Sequence, residues 1–132
     1  MKRARLNRVS KSPKRQAELK ADALWKAFCL GRDGHICRVC GKPANVVHHI
    51  WRKAKGLYAK LRHVITNGIS LCGGCHFTIH MDAERGRDMV IKAIGQDAYD
   101  QLKERALLSK TDSSKYDPNM AIIELTARRR DG

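Results

Sequence analysis

The chain has 132 residues and a formal net charge of +14, and tryptophan, tyrosine and phenylalanine together make up only 5% of it. From this length we expect one domain, or one small domain with tails, with only a modest core, so a bound metal or a partner should add stability. The charge favours a polyanionic partner, with nucleic acid as the first candidate and an anionic membrane surface as the alternative.

The N-terminal part is predicted to be a basic arm followed by a helix. The first twenty residues carry eight Lys or Arg and one acidic residue, so we expect residues 1–12 to be a disordered arm. No apolar run follows it, which argues against a secretory signal or a membrane segment and favours a cytosolic protein. Ser12 and Pro13 form a helix start signal, and the apolar spacing that follows predicts a helix over residues 13–30 with Gly31 as its stop.

Residues 34–81 contain no Asp or Glu, although the chain has 13 acidic residues. All six histidines and both Cys-x-x-Cys pairs lie inside this stretch. Positive charge without compensating carboxylates is typical of a surface that binds a polyanion. We therefore expect the anion to bind here.

Two short strands and a helix are predicted around the cysteines and histidines. The segments NVVHHI (45–50) and GISL (68–71) combine β-branched residues with flanking turn residues, which is typical of strands. After Cys75 the pattern becomes helical. The segment between the strands is basic and is interpreted as a loop over the site, with Trp51 expected to pack in the core. Together with the flanking helices, these elements predict an α+β fold.

Three further helices are predicted in the C-terminal half. MVIKAIG is interpreted as a helix closed by Gly95, and DAYDQLKERALL as a second that begins near Asp97. Asp117 and Pro118 repeat the helix start signal before a final short helix, MAIIELTA. These helices offer a surface for a homodimer or for another protein partner.

Four of the five cysteines form two pairs with the same spacing: Cys37, Cys40, Cys72 and Cys75. Two such pairs in a reduced cytosol can close a tetrahedral structural zinc site, in preference to four unrelated buried thiols. His35 could replace one sulfur, but we expect it to be an exposed loop residue. The fifth cysteine, Cys29, lies in the apolar pattern of the first helix and is expected to be a small buried residue.

The remaining histidines have the spacing of a second metal site. His76 and His80 are four residues apart on the predicted helix, so their side chains share a face. His48 and His49 are neighbours on a predicted strand and point to opposite faces, so one of them can join the helical pair. The alternative is that all four are surface histidines of a DNA-binding face.

The order of these motifs resembles a known family. Cys-x-x-Cys, His-His-Ile, Asn-Gly-Ile-Ser-Leu-Cys-x-x-Cys-His and x-x-x-His follow one another over residues 37–80. This order resembles the HNH endonucleases with a ββα-metal core, and in particular their small zinc-containing phage and prophage members. The resemblance implies an α+β fold in which a ββα-metal core is stapled by the four-cysteine zinc site. It divides the chain into an arm (1–12), a nuclease domain (13–110) with core 34–84 and flanking helices 13–30 and 84–110, and a C-terminal extension with a short helix and a basic end (111–132).

The resemblance also implies a role for each motif residue. His49 takes the position of the general base, and Asn67 that of the asparagine that holds the loop bearing the base. His76 and His80 take metal-ligand positions, and His48 stands where many members have an aspartate ligand. Without a carboxylate, such a site suits Mn²⁺, Ni²⁺, Co²⁺ or Zn²⁺ better than Mg²⁺.

The implied function is metal-dependent hydrolysis of DNA phosphodiester bonds, in phage DNA processing or recombination, in the cytoplasm of a bacterial host cell. Arg52, or its neighbour Lys53, is expected to hold the phosphate. The charges expected to follow the backbone of duplex or branched DNA are Lys53, Lys55, Lys60 and Arg62. His63 is expected to be exposed. The alternative function is a zinc-stabilised DNA-binding module without catalysis.

Overall fold

The computed structural model describes residues 11–52, 58–112 and 114–131. In these ranges the chain forms five α-helices and a two-stranded sheet, in the order α1 (Pro13–Arg32), β1 (Val46–His49), β2 (Gly68–Leu71), α2 (Gly73–Met81), α3 (Ala83–Ile94), α4 (Gln96–Thr111) and α5 (Pro118–Asp131). This mixture of helices and a small sheet confirms the predicted α+β class. Most of the predicted basic arm lies outside the described residues.

Helix α1 begins where the sequence predicted and ends later. The Ser12 hydroxyl accepts the Arg15 backbone N–H at 3.1 Å, and Pro13 is the first helical residue. The helix continues past Gly31 to Arg32. Gly34, with φ of 65°, adopts the left-handed conformation that follows many helices, so it is the stop that Gly31 was predicted to be.

The two strands pair antiparallel, and their register decides where the neighbouring histidines point. His48 lies opposite Ile69 and His49 opposite Gly68. All four residues of β2 are buried, which suits its apolar sequence. The predicted strand 68–71 is confirmed, and the predicted strand 45–50 is shorter by one residue at each end.

Helix α5 belongs to the core and is longer than predicted. Leu125 is buried in one cluster with Trp25 and Cys29 of α1. The first and last helices are therefore packed together, although residues 111–132 were predicted to be an extension. The apolar pattern MAIIELTA predicted a shorter helix. The arginines that follow it are also helical, and the helix ends at Asp131.

A buried carboxylate ties the end of α1 to the sheet. The Asp33 side chain is 2% exposed and pairs with Arg32 at 2.9 Å and Arg38 at 3.2 Å. It also accepts the Ser70 backbone N–H at 3.1 Å. Burial raises the pKa of Asp33, but these hydrogen bonds and charges prevail and lower it to about 2. This network, which the sequence analysis did not identify, holds α1 against β2.

Gly68 provides a test of how closely α1 approaches the sheet. A Cβ at Gly68 would lie 2.6 Å from Trp25 Cζ2 and 2.7 Å from Cys29 Sγ. Its φ of −115° and ψ of 137° suit any residue, so an added methyl group acts by steric contact alone. We expect Gly68→Ala to lower the free energy of unfolding by about 1–3 kcal/mol, measured by urea denaturation.

The matched control is Gly31→Ala. A Cβ at Gly31 meets nothing within 4 Å, and the residue is helical. Alanine is favoured over glycine in helices by about 0.5–1 kcal/mol, so this variant should be at least as stable as the wild type. Equal unfolding midpoints for the two variants would show that α1 is not in close steric contact with the sheet at Gly68.

Candidate active site

The four paired cysteines converge. The first pair, Cys37 and Cys40, lies in the turn after α1, and the second pair lies at the start of α2, where Cys72 is the N-cap. The four Sγ atoms lie within 4.8 Å of one another, and those of Cys40 and Cys72 are 3.5 Å apart. Thiolates bound to one tetrahedral zinc are about 3.8 Å apart, so the cluster fits a zinc ion.

Backbone N–H groups prepare this cluster for a cation. Burial raises the pKa of Cys37, but hydrogen bonds from the backbone of Cys40 and Cys72 outweigh it and lower the pKa to about 6. The Cys75 N–H, 3.4 Å from Cys72 Sγ, lowers the pKa of Cys72. Burial and the neighbouring thiols raise the pKa of Cys75. Negative charge is thus favoured at two of the four sulfurs before any metal binds.

Neither Cys29 nor His35 belongs to this cluster. Cys29 is fully buried in the α1 cluster, as predicted, and burial raises its pKa to about 11. His35 is exposed, as predicted, and is not among the clustered ligands. The assignment of the structural site to four cysteines therefore stands without substitution by histidine.

Three imidazoles form a second cluster. His48 projects from β1 toward α2, where His76 and His80 lie one turn apart. Their ligand nitrogens lie within 4.8 Å of one another, and the Nε2 atoms of His76 and His80 are 2.9 Å apart. Nitrogens bound to one tetrahedral ion are about 3.4 Å apart. The open choice between the two strand histidines is resolved in favour of His48.

The environment keeps the imidazoles of His48 and His76 neutral, which is the form that binds metal. Burial, followed by the positive potential of His76 and His80, lowers the pKa of His48 to about 3. Burial and the charges of His80 and Arg52 lower the pKa of His76. At neutral pH the lone pairs of His48 and His76 are therefore available to a cation.

His49 lies on the other side of β1 and is held firmly. Its ring stacks on Trp25 with centroids 4.1 Å apart and an angle of 11° between the planes. Its Nε2 is 3.0 Å from the Arg62 carbonyl oxygen, so Nε2–H is the donor in this hydrogen bond. The Trp25 indole N–H donates to the Val64 carbonyl at 2.9 Å, and this bond holds the indole in place against the His49 ring.

Asn67 braces the chain on both sides of the loop. It is fully buried, and its Oδ1 accepts the Trp51 backbone N–H at 2.7 Å. Its Nδ2 donates to the carbonyls of Trp51 at 2.9 Å and Leu61 at 3.0 Å. These bonds hold the backbone of Trp51, two residues after His49, against the chain at Leu61. Trp51 packs beside Leu61, as predicted.

The predicted DNA contacts have different environments. Arg52 is exposed near the imidazoles and makes no ion pair with any carboxylate that the structure describes. Lys60 pairs with Asp112 at 2.8 Å. Lys53 and Lys55 lie outside the described residues.

Arg62 is 9% exposed, and its guanidinium makes two bonds to Asp22, at 2.7 and 2.9 Å, and one to Glu18 at 3.1 Å. This placement favours a structural role over the predicted DNA contact. The sequence gave no signal of it, because the carboxylates come from α1, forty or more positions away.

His63 is buried, whereas exposure was predicted. Only 5% of it is accessible. Its Nε2 is 2.7 Å from Asp22 Oδ1, and its Nδ1 bonds to the Tyr116 hydroxyl. The long-range partners on α1 and near α5 provide the polar contacts that allow its burial.

Comparisons with known proteins find no family model, no curated protein and no solved structure that matches this chain. In the described ranges, none of the helices combines the length and the apolar character that crossing a bilayer requires. The function is therefore inferred from the two ligand clusters and their surroundings.

Proposed function

We propose that the protein is a metal-dependent DNA endonuclease of HNH type, built on a ββα-metal core. The single observation that carries this proposal is the convergence of His48, His76 and His80 at a point separate from the four cysteines. A DNA-binding module stabilised by zinc needs the cysteines but has no use for a second, partly exposed ligand set. Strands β1 and β2 followed by α2 provide the ββα order.

The second cluster fits a divalent transition metal. Its donors are three imidazoles and none of the clustered groups is a carboxylate, which suits Zn²⁺, Ni²⁺, Co²⁺ or Mn²⁺ better than Mg²⁺. Three protein ligands leave at least one position for substrate, as in catalytic rather than structural sites. His80 is exposed, so the cluster is open to a ligand from solution.

In the proposed reaction the residues of this chain have separate roles. His48, His76 and His80 hold the ion, which when bound supplies Lewis acidity at the phosphoryl oxygens. His49 accepts a proton from the attacking water at Nδ1, because Nε2–H is committed to the Arg62 carbonyl. Arg52 binds the phosphate. Its charge contributes to lowering the pKa of His48 and His76, so it acts close to the cluster. The resemblance implies 5′-phosphate and 3′-hydroxyl ends.

The net charge of +14 supports DNA, duplex or branched, as the partner. In this proposal the nuclease serves phage DNA processing or recombination in the cytoplasm of a bacterial host, alone, as a homodimer, or with a phage protein partner.

The proposal is tested by plasmid nicking in Mn²⁺, Ni²⁺, Co²⁺, Zn²⁺ or Mg²⁺. We expect the wild type to nick DNA with at least one of these ions, and His76→Ala to be at least about a hundredfold slower, because a lost ligand removes several kcal/mol of metal stabilisation. Metal analysis should find two ions per wild-type chain and one in the variant.

The matched control is His35→Asn, at an exposed histidine outside both clusters. Asparagine tolerates the positive φ of 58° at this position, so the variant tests the loss of an imidazole without strain. It should nick at the wild-type rate. Wild-type protein that binds DNA, holds one zinc and cuts with none of the five ions would instead be the non-catalytic module.

A further inference from the structure

A cavity of about 320 Å³ lies beside the imidazole cluster. His48 and His80 form one side of it, and the apolar side chains of Ile50, Ile79 and Val90 contribute to its lining. Small-ligand sites begin at about this volume and combine apolar walls with a few polar groups. Whatever occupies the cavity is therefore adjacent to the proposed catalytic ion.

The charged groups of this cavity are cationic. Arg52 follows β1, Arg87 comes from α3, and no carboxylate lines the cavity among the described residues. Neither arginine makes an ion pair with a described carboxylate. This charge is complementary to an anion, and two guanidinium groups can each bind a phosphate.

The position of Arg87 is set by close helix packing. A Cβ at Gly86 would lie 2.9 Å from the Cα and O atoms of Ile79, so α3 approaches α2 at this point without a side chain between them. This contact places Arg87 next to the turn of α2 that carries His80. Tyr99, from α4, lines the cavity and packs against Trp51 with ring centroids 5.0 Å apart.

We propose that this cavity binds a single nucleotide next to the scissile phosphate, with Arg87 on a phosphate and Tyr99 against the sugar or base. Aromatic rings next to cationic grooves bind bases of single strands in this way. In this proposal the cavity holds one nucleotide whose base has left the stack. The preferred substrate is then DNA with unpaired nucleotides. Of this proposal, only the placement of the nucleotide next to the phosphate that is cut rests on the proposed function.

The experiment uses thymidine 3′,5′-bisphosphate as a probe of the zinc-loaded full chain, with binding followed by calorimetry and by the NMR signals of Tyr99. We expect one probe per chain and an affinity that Arg87→Ala weakens about tenfold or more, since a charge-assisted hydrogen bond is lost. Arg87→Gln, which keeps part of the side-chain stem, should give a similar loss.

Arg85→Ala is the matched control, because Arg85 is exposed on the same helix, carries the same charge and does not line the cavity. It should change the affinity by less than about twofold. Equal losses in the Arg85 and Arg87 variants, or no binding of the probe, would overturn the pocket even if the protein nicks DNA. Probe binding that depends on Arg87 in a protein that never nicks would support the pocket and reject the nuclease.

Cleavage provides a second measurement. Wild-type protein should cut an oligonucleotide with an unpaired stretch at least about tenfold faster than the same sequence fully paired, because unstacking costs a few kcal/mol. Arg87→Ala should reduce this preference and Arg85→Ala should not. Equal rates on paired and unpaired substrates would contradict the proposal.

Discussion

Removal of metal from the four-cysteine cluster is expected to unfold the domain. The cluster joins the turn after α1 to the first turn of α2, in a chain whose aromatic content is only 5%. Structural zinc supplies about 10–16 kcal/mol of apparent binding energy, compared with a total stability of about 5–15 kcal/mol for a typical domain. Circular dichroism with and without a strong chelator should show loss of helix, reversed by added Zn²⁺.

Cys72→Ser tests the same point without a chelator, and Cys29→Ala is its control. Cys72 supplies both a ligand and the cap of α2. Cys29 is equally a cysteine but is buried away from the cluster, so its truncation should cost about 1–2 kcal/mol and leave the zinc content at one per cluster. A Cys72→Ser protein that keeps its zinc and its unfolding midpoint would contradict the four-cysteine assignment.

His49→Ala is expected to lower the rate of DNA cleavage by about a hundredfold to ten-thousandfold, the usual contribution of a general base. Affinity for DNA and the content of both metals should remain unchanged, because His49 belongs to neither ligand cluster. Cleavage rates under single-turnover conditions, together with a binding assay, separate these effects.

The removal of His49 leaves the Trp25 face uncovered, so stability must be measured in parallel. His49→Gln, which keeps a side chain over the indole, should be impaired to a similar degree while unfolding close to the wild type. Cleavage at the wild-type rate in both variants would place the base elsewhere, although His76→Ala could still abolish activity. This outcome would reject the proposed role of His49 and leave the metal site intact.

The sequence by itself determined the features that depend on local spacing. The matched Cys-x-x-Cys pairs identified the thiol cluster, because a tight turn brings two sulfurs to one point. The i,i+4 spacing of His76 and His80 placed both on one helical face. The start of α1 at Ser12 and Pro13, and the strand at residues 68–71, followed from capping chemistry and β-branched patterning.

Only the tertiary structure decided features that depend on residues far apart in the chain. The position of His48, rather than His49, beside His76 and His80 required the register of β1 against β2 and the position of α2. The alternation of side chains along a strand shows only that neighbouring residues point to opposite faces. The burial of Arg62 and His63 depends on Asp22, about forty positions earlier. The spacing of residues in the sequence cannot reveal such long-range pairs. An arginine or a histidine looks the same in the sequence whether its side chain faces water or a carboxylate forty positions away.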